Sequence, residues 1–157
     1  METDTVNATI VTSGEKWVGF GYRSIYSVTD ELIGEAEKSI LMTAYLLSDS
    51  RIVERLRSAL ERDVYVEIFL NHQQNNEVSQ AMEYILQFVN MYQNINLTVL
   101  SREMLHAKVM VIDYSRVLIS SANLTFSGMT LNYEMGILID DQSMASDVIK
   151  LLRRLRV

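Results

Sequence analysis

The chain contains no cysteine, no proline, and only two histidines and six glycines. Without cysteine there can be no disulfide, no thiolate metal ligand and no thiol nucleophile, and a cytoplasmic setting is the expectation that follows. There is no proline-marked linker, no low-complexity segment and no internal repeat. The 157 residues are therefore expected to form one domain, 1–157. No apolar run is long enough to cross a bilayer, and METDTVNATI lacks the basic start and apolar middle of a signal peptide, so no membrane partner is expected. Positive charge is in deficit: 14 Lys and Arg against 20 Asp and Glu give a net charge of −6. That argues against a dedicated, tight DNA-binding surface but leaves room for a cleft where positive charge is local. Metal-ligand spacing is missing too. The two histidines are distant and the acidic residues follow neither an EF-hand nor a zinc pattern, so no metal or cofactor is expected. Gly19-x-Gly21 is too short to be a phosphate-binding loop.

What is present alternates between two periods. Trp17–Arg23 reads as a short strand or turn. Ser27–Asp30 offers caps for a helix over Glu31–Lys38 with Leu32, Ile33 and Ala36 as its stripe. Ser39–Leu47 reads as a buried strand, and Ser48–Ser50 can cap a second helix burying Ile52, Val53, Leu56, Ala59 and Leu60. Val64–Leu70 is the next strand, rich in β-branched and aromatic residues. A third helix is expected to turn Val78, Met82, Ile85, Leu86 and Val89 inward, followed by a strand over Asn96–Leu100. A strand over Asn132–Ile139 and a terminal helix over Val148–Val157, packing Ile149 and Leu152, complete the pattern. The fold class is α/β: a layered α/β/α domain with a mixed, mostly parallel sheet. The basic runs Arg51–Arg57 and Arg153–Arg156 read as solvated helix faces.

The informative segment is His106–Asn123. Apolar runs Val109–Ile112 and Val117–Ile119 flank the polar tetrad Asp113–Arg116, which signals a hairpin. A two- or four-residue loop sets Lys108 opposite Ser121 and His106 opposite Asn123, gathering four polar groups on one patch; a three-residue loop breaks that register. An imidazole can act as nucleophile or acid–base, and an ammonium, a hydroxyl and an amide can cradle phosphoryl oxygens. The alternative is a satisfied polar rim on a hairpin.

His106-x-Lys108, four residues, Asp113, six residues and Ser120-Ser-Ala-Asn123 closely resembles the HKD signature of the phospholipase D superfamily. Ser120 stands where that signature carries glycine. Glu134 sits where single-motif nucleases of the superfamily carry a carboxylate, and the similarity extends over residues 24–140. The resemblance implies a covalent phosphohistidine formed on His106. Lys108 and Asn123 would hold phosphate oxygens with Ser121 assisting, Glu134 would orient the His106 ring, and Asp113 and Ser120 would be structural. No metal is implied. The mechanism needs two imidazoles, yet His72 lacks an HxK frame and reads as a polar loop residue. Single-motif members solve this by two-fold pairing, so the resemblance implies a homodimer sharing its sites. It favours a nuclease acting on DNA or RNA, and such single-motif nucleases also occur as components of larger defence or restriction assemblies. A lipid hydrolase is the alternative enzyme, and a non-catalytic nucleic-acid-binding or dimerisation module the alternative outside enzymes.

Overall fold

The computed structural model describes residues 5–72 and 79–156; Val78 and the polar stretch after His72 lie outside them. The strands are β1 (Asn7–Thr12), β2 (Arg23–Ser24), β3 (Ser39–Ala44), β4 (Tyr65–Asn71), β5 (Ile95–Leu100), β6 (Val109–Ile112), β7 (Arg116–Ser120) and β8 (Met135–Asp140). They form one sheet in the order β2-β1-β8-β7-β6-β3-β4-β5. The sheet is mixed as expected, but it is not mostly parallel. Among the described residues three pairings are parallel (β1β2, β3β4, β4β5) and four are antiparallel (β1β8, β3β6, β6β7, β7β8). Helical crossovers join the parallel strands β3, β4 and β5, whereas no helix lies between β1 and β2. The antiparallel block runs from β3 through β6, β7 and β8 to β1, and a tight hairpin joins β6 to β7.

Helices α1 (Ile25–Glu35), α2 (Ser50–Glu61) and α3 (Gln80–Met91) cover one face and α4 (Gln142–Arg153) the other. The central strand β3 is therefore buried at all six positions. Asp49 caps α2, accepting from the Arg51 N–H at 3.0 Å, and Ile52, Val53, Leu56, Ala59 and Leu60 pack inward as their spacing predicts. The Arg51 side chain returns to the same carboxylate at 2.7 Å and holds it below the ordinary carboxylate range, with burial opposing.

Several boundaries differ from expectation. α1 begins earlier, because the Ser24 hydroxyl rather than the Ser27–Asp30 stretch accepts from the first-turn N–H of Ser27. α3 buries Ala81, Ile85 and Phe88, leaving Leu86 and Val89 exposed; Phe88 turns inward to meet Tyr92 edge-on. α4 starts at Gln142, capped by Asp141, and seats Ile149 and Leu152 on the sheet. The basic runs are tied to carboxylates. Arg55 binds Asp30, Arg57 lies against Glu54 and Glu61, and Arg153 and Arg156 converge on Glu67, which is fully buried on β4. No helix among the described residues is long and apolar enough to cross a membrane.

Candidate active site

Four strand ends meet at one edge of the sheet. β3 runs into Tyr45, β6 is entered through His106–Lys108, β7 runs out through Ser121, and β8 is entered through Glu134. β3 and β7 run antiparallel to β6, and β8 runs antiparallel to β7, so these ends fall on the same side. The candidate residues are thus gathered by topology, although His106 and Glu134 are separated by a strand, a turn and a second strand.

The hairpin register differs from the one expected. The loop has three residues, Asp113–Ser115, so Ile112 faces Arg116 and Lys108 accepts the Ser120 N–H at 3.1 Å. Lys108 is not opposite Ser121, nor His106 opposite Asn123. The cause is Asp113. Its carboxylate accepts the N–H groups of Glu37 (3.1 Å), Lys38 (2.7 Å) and Ser39 (3.0 Å) at the entry to β3, while its own N–H donates to Ser39 at 2.9 Å. Holding that position requires φ of 53° at Asp113 and 60° at Tyr114, left-handed values that Asp tolerates better than most residues. Burial pushes the Asp113 carboxyl up, but the three amides and Arg116 outweigh it and hold it below the usual range. A lowered folded-state pKa means stability that is present above the unfolded value of about 3.9 and lost as pH falls through the folded one. Asp113→Ala strands three amides and strains the turn, and is expected to cost about 3 kcal/mol at neutral pH. Urea denaturation should show that difference shrinking as pH drops below about 4.

Ser120, where the HKD signature has glycine, is accommodated by its partner. It faces Gly136, and a Cβ on Gly136 would lie 2.6 Å from the Ser120 Cβ. The strand pair has its small residue at Gly136, and the Ser120 hydroxyl accepts the Ala122 N–H at 3.2 Å.

Two clusters form at the edge. In the first, the Lys108 ammonium lies 3.2 Å from both His106 ring nitrogens, so whichever is unprotonated can accept from it. The Tyr45 ring packs edge-on to His106 at 4.9 Å, and Lys108 lies 5.7 Å above the Tyr45 centroid. In the second, the Ser121 hydroxyl donates to the Glu134 carboxylate and accepts the Met135 N–H at 3.1 Å. Glu134 is fixed by buried Ser13, whose hydroxyl accepts the Glu134 N–H at 3.2 Å and donates to the Asn132 carbonyl at 2.7 Å. The expected Glu134–His106 hydrogen bond is not among those of the described residues; Ser121 takes the carboxylate instead. The Asn123 amide oxygen is buried without a partner. His106 is exposed, while Lys108, Asn123 and Glu134 are half-buried. A small crevice of about 20 Å³ joins Lys108, Ser120, Ala122 and Leu124 beside Thr43. His72 follows β4 with an exposed side chain and no contact to His106 among the described residues. No group of three or more His, Asp or Glu side chains that could hold a metal occurs among them either.

Sequence reasoning missed Thr43, Tyr45, Asn71 and Ser13. Thr43 and Tyr45 lie at alternate positions running off β3, and Asn71 closes the parallel strand β4. For Asn71, a polar residue at the last position of a buried strand was the available signal.

Comparison with known proteins places this edge in context. The family described as cardiolipin synthase, PLD-like domain, matches residues 30–156. The chain is 33% identical over 123 residues to the DISARM protein DrmC of Bacillus paralicheniformis, and 36% identical over 116 residues to a phospholipase D of Rickettsia typhi. Each alignment covers 74% of the chain, which spans about half the length of these relatives (50% and 55%). Among solved structures, Nuc of Salmonella typhimurium, a phospholipase D family member, superposes with a TM-score of 0.78 at 23% identity, over 96% of this chain and 93% of Nuc. NucT of Helicobacter pylori gives 0.77 at 17% identity, over 96% of both chains. Both likenesses establish the fold.

Proposed function

We propose, from the premise that this chain belongs to the phospholipase D superfamily, that it is a metal-independent nuclease completing its active site in a homodimer. The superfamily's phosphodiesterase fold is the ground for assigning hydrolase chemistry. The observation that carries the reading is the His106–Lys108 pair held at an open strand edge, with Asn123, Ser121 and Glu134 delivered to the same edge.

The chemistry follows from those groups. A phosphate arriving at the edge competes with the imidazole for the Lys108 ammonium, freeing a ring nitrogen. That nitrogen attacks phosphorus, the P–O bond to the leaving group breaks, and a second imidazole protonates the departing oxygen. Water then attacks phosphorus, giving a proton to the second imidazole, and the P–N bond breaks to free His106 and release a phosphomonoester. Lys108 and the side-chain N–H groups of Asn123 would donate to the non-bridging oxygens, and Ser121 shares its hydroxyl with Glu134. Glu134 acts on this cluster through Ser121.

The motif supplies one imidazole per chain, and a surface suited to pairing adjoins the site. Ile10, Ile137 and Ile119 lie in register across β1, β8 and β7, on the sheet face that α4 covers farther from the edge. They are 46%, 38% and 38% exposed, with Met135 at 50% beside them. An apolar row bordering a half-site fits a second copy related by a two-fold axis. The similarity to the DISARM protein DrmC supports a place in a larger defence assembly.

Cleavage of single- and double-stranded DNA and of RNA in the presence of EDTA tests the reading. Sustained cleavage is expected; activity abolished by EDTA and restored by a divalent cation would contradict it. The relatives named phospholipase D and cardiolipin synthase A favour lipid hydrolysis as the second reading. Head-group release from phosphatidylcholine or phosphatidylglycerol vesicles, with no cleavage of nucleic acid, would select it.

A further inference from the structure

The segment carrying His106 and Lys108 is not a strand, yet every residue from Leu105 to Val109 is held from the ends of β3 and β4. The β3–β6 ladder stops at Met42 opposite Met110. One step later the side chain of Thr43 replaces the main chain. Its buried hydroxyl donates to the Ala107 carbonyl at 2.5 Å and accepts the Val109 N–H at 3.0 Å, clamping the backbone on both sides of Lys108. On the neighbouring strand, the buried Asn71 side-chain oxygen accepts the Leu105 N–H at 2.8 Å, just before His106. Tyr45, two residues beyond Thr43, meets the His106 ring edge-on at 4.9 Å and lies under the Lys108 ammonium. Backbone groups at 105, 107 and 109 are thus fixed by polar side chains, and the side chains at 106 and 108 by one aromatic ring.

From this juxtaposition we infer that Thr43 and Tyr45 are positioning residues for the phosphodiesterase reaction, acting through His106 and Lys108. The inference rests on the nuclease reading for its kinetic consequence but not for its geometric one. On the β3 side no main-chain ladder sets the segment's height above the sheet, although on the β7 side the Ser120 N–H still binds the Lys108 carbonyl at 3.1 Å. Thr43 sets that height, and Tyr45 limits the rotation of the imidazole against the ammonium. Because attack requires an aligned nucleophile, a small loosening lowers the rate of the chemical step with little effect on substrate capture.

Two disruptive variants, Thr43→Val and Tyr45→Leu, are paired with two conservative ones, Thr43→Ser and Tyr45→Phe. Hydrolysis of bis(p-nitrophenyl) phosphate gives kcat and KM. Imidazole carbon–proton NMR gives the surroundings of the two histidines, the His106 signal being assigned by its loss in His106→Ala. Both disruptive variants are expected to lower kcat about 10- to 100-fold with KM within about threefold, while the conservative pair stays within about threefold in kcat. The His106 signal should move in the disruptive variants, return in the conservative ones, and leave the His72 signal in place throughout. An unmoved His106 signal in both disruptive variants overturns the inference. So does a loss confined to KM, or an equal loss in the conservative pair. Movement of both histidine signals marks general unfolding, and the conservative pair then decides. If the wild-type chain hydrolyses no phosphodiester, the nuclease reading fails on its own and the NMR comparison still decides the placement.

Discussion

Replacing His106 with alanine is expected to reduce phosphodiester hydrolysis by about 10⁴-fold or more, with binding of the uncleaved substrate nearly intact. Under the proposed mechanism the imidazole of one copy is the nucleophile and that of the other the acid that releases the leaving oxygen. A single substitution therefore removes both groups from a homodimer. Loss of a group that forms the covalent bond is not offset by neighbours that only stabilise charge, so Lys108 and Asn123 can hold phosphate without turning it over. Gel-based cleavage of DNA and RNA with a parallel binding assay separates the two effects. The folding control is direct: the His106 side chain is exposed and its contacts are with Tyr45 and Lys108 at the edge, away from the core, so thermal stability should change little.

The second large effect concerns a residue that never meets the substrate. Ile137→Lys places an ammonium in the middle of the exposed isoleucine row, between Ile10 and Ile119. In a monomer that change costs little, because the side chain is already 38% exposed. In a two-fold interface the same ammonium occurs twice near the axis, desolvated and opposite its own charge, which is unfavourable by several kcal/mol. Light scattering should give a monomer at concentrations where the wild type is a dimer, and nuclease activity should fall about 100-fold or more as the second imidazole is lost. A dimeric, fully active Ile137→Lys protein would place the pairing surface elsewhere.

The main strands of the fold were legible in the sequence, as were the candidate residues that the fold brings to one edge, and the reasons are local. β3 and β4 are mainly apolar because both faces are covered, and Asp49 announces α2 because a carboxylate before an amphipathic run satisfies first-turn amides. The HKD spacing was legible because its two halves lie on adjacent strands of one hairpin. What escaped was set by partners distant in sequence. β1 went unrecognised: its first four residues are exposed, it lacks an apolar alternation, and it is a strand because β8 and β2 pair with it. The hairpin register turned on Asp113, whose carboxylate serves amides 74 to 76 residues away, information no turn propensity contains. The Glu134 carboxylate reaches Ser121, a contact across two strands, and Thr43, Tyr45 and Asn71 stand out only when residues 105–109 are laid across the ends of their strands.

Under the proposed mechanism each chain supplies half of an active site, and the missing half is His106 of a second copy. The most direct test of this sharing is co-expression of wild-type chains with differently tagged His106→Ala chains, with purification of the mixed dimer carrying both tags. A shared site with two essential imidazoles predicts a mixed dimer as inactive as the His106→Ala homodimer. A random assortment at equal input then retains about one quarter of wild-type activity. A mixed dimer with half the wild-type activity, or a fully active monomer, would contradict the account.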